Sequence, residues 1–285
     1  MTPKPVSRRL SRLSLLLAAG LLGVFAAPST VAAADLTVAQ AERAMVDQLN
    51  ADRKAVGLVP LQIDTRLMAI ARARSVDMAT KNYFSHTQPD GRNVFALIDA
   101  AKIAWYSAGE IIAWNTYPTL ETSIQAANNG WLNSPGHKKL IVSSSFNYLG
   151  VGLAVDASSG KKYWTTVFIK GPDRTGARAK AATPSVTAGS TSATKKVTVT
   201  WSGADVPLQV LTSGFHSYAV QRRVDGGAWA TVWTSTTAKS LTLQLASNHT
   251  YEFRVAARDK AGNWGSWSTV KATIAAPTGS VVVRR

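Results

Sequence analysis

Ahead of His137 the apolar residues of this chain recur every three or four positions, and after it they recur every two. That switch confines the first half to helices followed by a hairpin. Met45, Leu49 and Val56 mark one helical stripe, and Thr37-Val38-Ala39-Gln40 ahead of it fits a capping box, with Gly57 as the stop. Asp64 can cap a second helix through Ala79, with Leu67, Ile70, Ala71, Ser75 and Met78 on its buried face. Residues 92–103 read as a short helix with Phe95 and Ile98 on one side, and Leu120, Ile124, Ala127 and Trp131 mark another. Then Leu149, Val151, Leu153 and Val155 alternate with Tyr148, Gly150, Gly152 and Ala154. Ser158-Ser159-Gly160 makes a turn, and residues 163–169 return as a second strand. Helices followed by a hairpin predict a mixed, mainly antiparallel sheet.

Within this frame, Leu49-Asn50, Arg53, Gly57-Leu58, Pro60-Leu61, Asp64, Leu67, Ala71, Met78-Ala79 and Phe84-Ser85-His86 stand in a fixed order, followed by Gly109-Glu110 and Trp131-Leu132-Asn133-Ser134-Pro135-Gly136-His137. This pattern resembles the bacterial branch of the CAP superfamily, the SCP-like domains of cysteine-rich secretory proteins, venom antigens and pathogenesis-related proteins. The resemblance runs over about residues 37–169 and implies an α-β-α sandwich.

The resemblance also implies a cleft lined by two histidines and two acids, in which the histidines can hold a divalent metal. It maps the histidines onto His86 and His137 and the first acid onto Glu110, which lie 24 and then 27 residues apart, too far for any local element to join them. The second acid is expected three residues after Trp131, where this chain has Ser134. The family's Gly-Glu-Asn becomes Gly109-Glu110-Ile111, which removes a polar group beside the first acid. Two neutral imidazoles and water suit zinc or another divalent cation, at low affinity because catalytic zinc sites use three protein ligands. Glu110 can orient a ligand, bind the metal, or act as base toward a metal-bound water. Ser134, His137 and Glu110 also invite a hydrolytic triad, but no nucleophile elbow surrounds the serine. Its place before Pro135 instead suits a cap on the helix bearing His137. Trp105, Tyr106, Trp114 and Tyr117 flank Glu110 and are candidates for the edge of a groove.

Residues 172–184 are rich in Ala, Thr, Lys and Arg without periodicity and read as an exposed linker. Beyond them come short alternating runs: Val197, Val199 and Trp201; Tyr218, Val220 and Arg222; Leu241, Leu243 and Leu245; Tyr251, Phe253, Val255 and Ala257. Turns at Asp225-Gly226-Gly227 and at residues 260–263 separate them, the pattern of an all-β immunoglobulin-like sandwich. Residues 185–276 resemble a fibronectin type III module, with Trp201 in its core and Tyr251 at its tyrosine corner. Trp229, Trp233, Trp264 and Trp267 are shared between core packing and sugar-binding candidates, and His216 and His249 have no evident partner. A basic tail, 277–285, ends the chain.

Residues 1–34 have the form of a signal peptide: Lys4, Arg8, Arg9 and Arg12, then an apolar run from Leu13 to Ala27, then Ala32-Ala33-Ala34. No later stretch has the length of apolar residues a membrane helix needs, and the chain has no cysteine, so disulfides and thiolate ligands are excluded. Residues 35–172 hold 14 basic and 11 acidic residues, +3, whereas residues 173–285 hold 14 and 5, +9. The excess in the second half suggests contact with an anionic surface outside the cell. The expectation is a secreted, monomeric protein of α+β class, with a domain at 35–171 whose cleft binds a lipid or glycan ligand. The basic module would hold it near a cell-envelope polymer, in association with the wall. Nucleic acid is not expected as a partner. The alternatives are a metal-dependent hydrolase of envelope peptide, glycan or lipid with Glu110 as base, and a non-catalytic adhesion protein. The resemblance by itself establishes no catalytic activity.

Overall fold

A computed structural model describes residues 35–277. The signal-like segment 1–34 and all but the first residue of the basic tail lie outside the described residues. Five helices belong to the first half: α1 (Val38–Ala55), α2 (Thr65–Lys81), α3 (Val94–Ala100), α4 (Leu120–Leu132) and α5 (Pro135–Ile141). They cover a sheet of β1 (Gln62–Ile63), β2 (Ser107–Asn115), β3 (Tyr148–Val155) and β4 (Lys162–Lys170). Its order is β1-β3-β4-β2, with β1 parallel to β3 and the other pairs antiparallel.

The helix ends follow their local chemistry. Thr37 and Gln40 form the reciprocal capping box of α1, and Asp64 accepts from Arg66 N at the start of α2. Helix α1 ends one residue before Val56, so Val56, expected on the buried stripe, is 57% exposed. Gly57 takes the left-handed φ of 79° that closes a helix. Helix α3 is shorter than 92–103 because Asn93, not Arg92, caps it; Ile98 is buried, while Phe95 lies outside and stacks on Trp105.

Two cores flank the sheet. Met45, Leu49, Ile124, Trp131, Leu149, Val151 and Trp164 fill one side under α1, α4 and α5. Leu67, Ala71, Ile98, Tyr148, Val167 and Ile169 fill the other under α2 and α3. Strand β3 is therefore buried on both faces, which explains why its alternation is large against small rather than apolar against polar. Gly150 and Gly152 face α2, where a Cβ on either would overlap the backbone of Leu67–Met68 or Ala71–Arg72. The absent side chains let the helix lie directly on the sheet.

The second half forms a sandwich. One sheet joins β10 (Ser240–Ala246), β7 (Thr194–Ala204) and β5 (Arg178–Ala181), with β6 (Ser185–Ala188) also on β7. The other has the order β12-β11-β8-β9, comprising β12 (Ser268–Ile274), β11 (His249–Asp259), β8 (Phe215–Val224) and β9 (Ala230–Thr236). Trp201 lies in the core between them, edge-on to Tyr218 and Trp233, and Tyr251 Oη donates to Ala246 O at 3.3 Å. Residues 172–184 are not a free tether, since β5 pairs with β7 and both Ala177 and Ala181 enter this core.

The two halves also meet in a polar junction. Leu208, from the loop after β7, joins the core under α2 and α3. Gln209 Oε1 accepts from Val59 N (2.7 Å), and Asn147 Nδ2 donates to Gly171 O (2.7 Å) and Val210 O (3.2 Å). Asp173, Asp205 and Asp259 bring carboxylate oxygens within 4.8 Å of one another here. Backbone N–H groups of Thr175, Ser213, Val206, Gly214 and Asn263 donate to them, so the acids are tied into the chain's own turns.

Candidate functional site: a His-Glu-His cleft at the sheet edge

Glu110 sits in the middle of β2, the strand at the open edge of the first sheet, and points to the α2 side with Ile112. Its side chain is 3% exposed, a burial that a carboxylate tolerates only with partners. Arg74 Nε donates to Oε1 at 2.9 Å, and His86 Nδ1 lies 2.7 Å from Oε2. Both carboxylate oxygens are thus engaged.

Arg74 comes from α2 at the same helical phase as Leu67, Ala71 and Met78, and is fully buried. Besides Glu110 it donates through Nη1 to Tyr83 Oη (2.8 Å) and through Nη2 to Ser85 O (2.7 Å). One guanidinium therefore holds the acid and the backbone of the loop that carries His86. Burial opposes its charge, but the bonds to Glu110 and Tyr83 outweigh that and raise its pKa. Tyr83 Oη donates in turn to Asp77 Oδ2 at 2.6 Å, Gln88 Nε2 donates to the same oxygen at 3.0 Å, and Lys81 Nζ closes on Oδ1 at 2.6 Å. Burial and the bond to Asp77 push the Tyr83 hydroxyl up to about 12. Burial opposes the charge of Asp77, but the bonds from Lys81, Tyr83 and Gln88 together outweigh it and bring its pKa down to about 2.

His137 occupies the first turn of α5. Arg53, a buried residue in the last turn of α1, donates through Nη1 to Ile141 O and Ser143 O at 2.8 and 2.7 Å, which fixes the far end of α5. Trp131 Nε1 donates to Ile112 O at 2.9 Å and fastens the end of α4 to β2. Burial first, and then the nearby charge of His86, lower the pKa of His137. The ring is therefore neutral at neutral pH, with a lone pair to offer.

Ser134 and His137 form part of the wall of a groove of about 540 Å³, with Phe84, Trp114, Tyr117 and Trp131. Ser134 stands at the N-cap position of α5 as expected, but its hydroxyl makes no capping bond. Pro135 at the first helical position has no N–H, which leaves one fewer unpartnered donor at this helix end. Of the flanking aromatics, Trp114 and Tyr117 reach this groove, whereas Trp105 donates to Asp99 and stacks on Phe95.

The structure therefore brings His86 and Glu110 into contact, sets His137 within reach of His86's charge, and places Ser134 beside His137. No hydrogen bond joins Ser134 to His137 or to Glu110 among the described residues, and the triad is not assembled. Arg74 was not anticipated, although its signal was present: a cation on the apolar phase of a helix implies a buried partner. His249, for which no partner was expected, lies with Nδ1 2.6 Å from Asp225 Oδ2.

The profile of the cysteine-rich secretory protein family, CAP, matches residues 46–168. This segment is a CAP domain. The Bacillus subtilis protein YkwD is 38% identical over 141 residues, which are 50% of this chain and 51% of that protein. An extracellular SCP-domain protein of Bacillus anthracis, known from its crystal structure, is 30% identical, with a TM-score of 0.42 over 48% of this chain and 45% of that one. The sixth fibronectin type III domain of human fibronectin type III domain containing protein 3 is 23% identical with a TM-score of 0.26, over 39% of this chain and 92% of that one. The chain spans about half the length of YkwD. Among the described residues no helix is long and apolar enough to cross a membrane.

Proposed function

We propose that this chain is an exported CAP-domain protein whose His86–Glu110–His137 cleft binds a ligand lying in the adjoining groove. The engagement of both Glu110 oxygens supports binding over catalysis. A carboxylate acting as base toward a water needs a lone pair that the water can reach, and here each oxygen already accepts a bond from Arg74 or His86 on a side chain only 3% exposed. With the Nδ1–H tautomer of His86 donating to Glu110 Oε2, Nε2 would carry the lone pair that faces a metal. A carboxylate behind a histidine in this way suits a metal ligand, because it fixes the tautomer and raises the basicity of the ring.

The donor chemistry suits a divalent cation such as zinc, which His86 and His137 would hold, with Glu110 as the orienting group. When bound, the cation would supply a Lewis-acidic site for an oxygen of the ligand. The Phe84, Trp114 and Tyr117 side of the groove would take the ligand's apolar portion. The signal-like segment and the extracellular description of the Bacillus anthracis relative support export. The +9 balance of residues 173–285 supports retention by an anionic envelope polymer.

Zinc titration calorimetry on the protein from Asp35 onward tests the cleft. His86→Ala and His137→Ala should each abolish uptake, and Glu110→Gln should weaken it by about 10–100-fold. Equal uptake by all four proteins would remove the metal from the proposal.

A further inference from the structure

The outer face of the sheet β12-β11-β8-β9 carries a second recognition surface. A groove of about 410 Å³ lies there between Trp233, Trp264 and Trp267, edged by Gln221, Thr231 and Thr234. Trp264 is 45% and Trp267 39% exposed, large for indoles that the core could have covered. They are fixed in place from behind. Gly265 N donates to Ala257 O at 2.9 Å, and a Cβ on Gly265 would overlap Ala177 O, so the chain of β5 crosses directly under this loop. Guanidinium groups stack on the indoles: Arg254 lies 4.3 Å from Trp229 and 4.5 Å from Trp267, and Arg258 lies 5.7 Å from Trp264.

The charges on this face are unequal. Arg223 pairs with Glu252 at 2.8 Å, but Arg254 and Arg258 meet no carboxylate among the described residues. Arg254 directs Nε and Nη2 to Gln221 Oε1 at 2.8 and 2.5 Å, and Arg258 directs Nε to Gly262 O at 3.2 Å. Residues 185–276 carry nine Lys or Arg against four Asp or Glu, a surplus of five positive charges.

From this combination we infer that the tryptophan groove of the second domain binds sugar rings of an acidic polysaccharide. The indoles offer flat apolar faces to the C–H face of a pyranose, since aromatic side chains bury large area with little loss of freedom. The hydroxyls of Thr231 and Thr234, which line the groove, offer donors and acceptors to ring hydroxyls. Arg254 and Arg258 supply the charge-assisted donors that an acid group on the sugar requires. A neutral glycan would leave the cations unused, and a bare polyanion would leave the indoles unused. The inference deepens the reading that the basic second domain contacts an anionic envelope polymer, and rests on it.

The protein from Asp35 onward is titrated with short oligogalacturonates, with their methyl esters and with oligothymidylate, following tryptophan fluorescence and affinity electrophoresis. Binding of the oligogalacturonate should fall roughly tenfold in Trp264→Ala and in Trp267→Ala, the loss of one stacking contact. Trp264→Phe should retain most of it. Thr231→Glu, an exposed change that leaves every tryptophan in place, should weaken the acidic oligomer more than its ester. Melting temperatures close to the parent's identify the variants that remain folded. If wild type does not bind oligogalacturonate, if the folded variants bind it as wild type does, or if the ester binds equally well, the inference is overturned. Tighter binding of oligothymidylate would also overturn it, in favour of nucleic acid. Retention of all these proteins on envelope fractions at low salt would then leave the envelope reading standing, and loss of retention by wild type would remove that reading as well.

Discussion

The cleft of the first domain and the tryptophan face of the second both assemble arginine beside aromatic and polar groups, and they treat the cation in opposite ways. Arg74 is fully buried, and its donors are spent on Glu110, Tyr83 and the backbone of Ser85. Arg254 is half-buried, stacked between two indoles, and meets no carboxylate. A cation whose partners all lie inside the protein holds other residues still. A cation held mainly by ring faces keeps its charge available to a ligand. The first arrangement serves position and the second serves contact.

The largest effect that separates the two should come from truncating each arginine. Arg74→Ala leaves Glu110 buried without its cation and releases the loop of His86, and should cost about 3–5 kcal/mol. Arg254→Ala removes cation–π contacts at a wet surface and should cost about 0.5–1 kcal/mol. Urea denaturation of the protein from Asp35 onward reads both. Similar losses for the two would break the comparison. In Arg74→Ala, an added Glu110→Leu should recover part of the loss, because it removes the stranded charge.

Much of this was legible in the residues, and the exceptions have physical causes. Helices α1, α2 and α4 announce themselves through capping residues and unbroken stripes, and β3 and β4 through period two. Strand β2, which carries Glu110, gives no such signal. Its Ile111 and Ile112 enter opposite cores, so no single face of it is apolar. The coupling of Glu110 to His86 followed only from the family resemblance. Arg74 could have been found by phase alone, since an arginine among Leu67, Ala71 and Met78 must be paired. The docking of Leu208 was not legible, because a loop leucine has no periodicity and the cluster it joins runs from Leu67 to Ile169, well before it in the chain.

That junction supplies the next comparison, between the domains as neighbours and as separate units. Leu208 is 6% exposed in a core otherwise built from the first domain. Leu208→Ala should cost about 2–3 kcal/mol, toward the low end for a buried leucine because a loop can partly collapse into the space. The loss should appear in the unfolding of the first domain, followed through buried Trp131 and Trp164, although the substitution lies in the second. Loss confined to the second domain would show that each folds without regard to the other.

The smallest effect distinguishes the histidines of the two regions. Burial lowers the pKa of His137, so the unfolded chain binds a proton that the folded chain resists. The stability tied to His137 is therefore complete above its ordinary value of about 6.5 and is lost as pH falls below it, by at most about 1.4 kcal/mol per pH unit. His249 belongs to a pair in which its hydrogen bond holds exposed Asp225 below the usual carboxylate range. Stability from that depressed carboxylate is present above its unfolded pKa and is lost only in stronger acid. Between pH 7 and 5, melting temperature should thus fall less steeply in His137→Gln than in wild type, while Asp225→Asn should leave the slope unchanged. A slope that His137→Gln does not alter would mean that burial in the cleft does not govern the protonation of His137, and the neutral lone pair assigned to it at the metal site would lose its support.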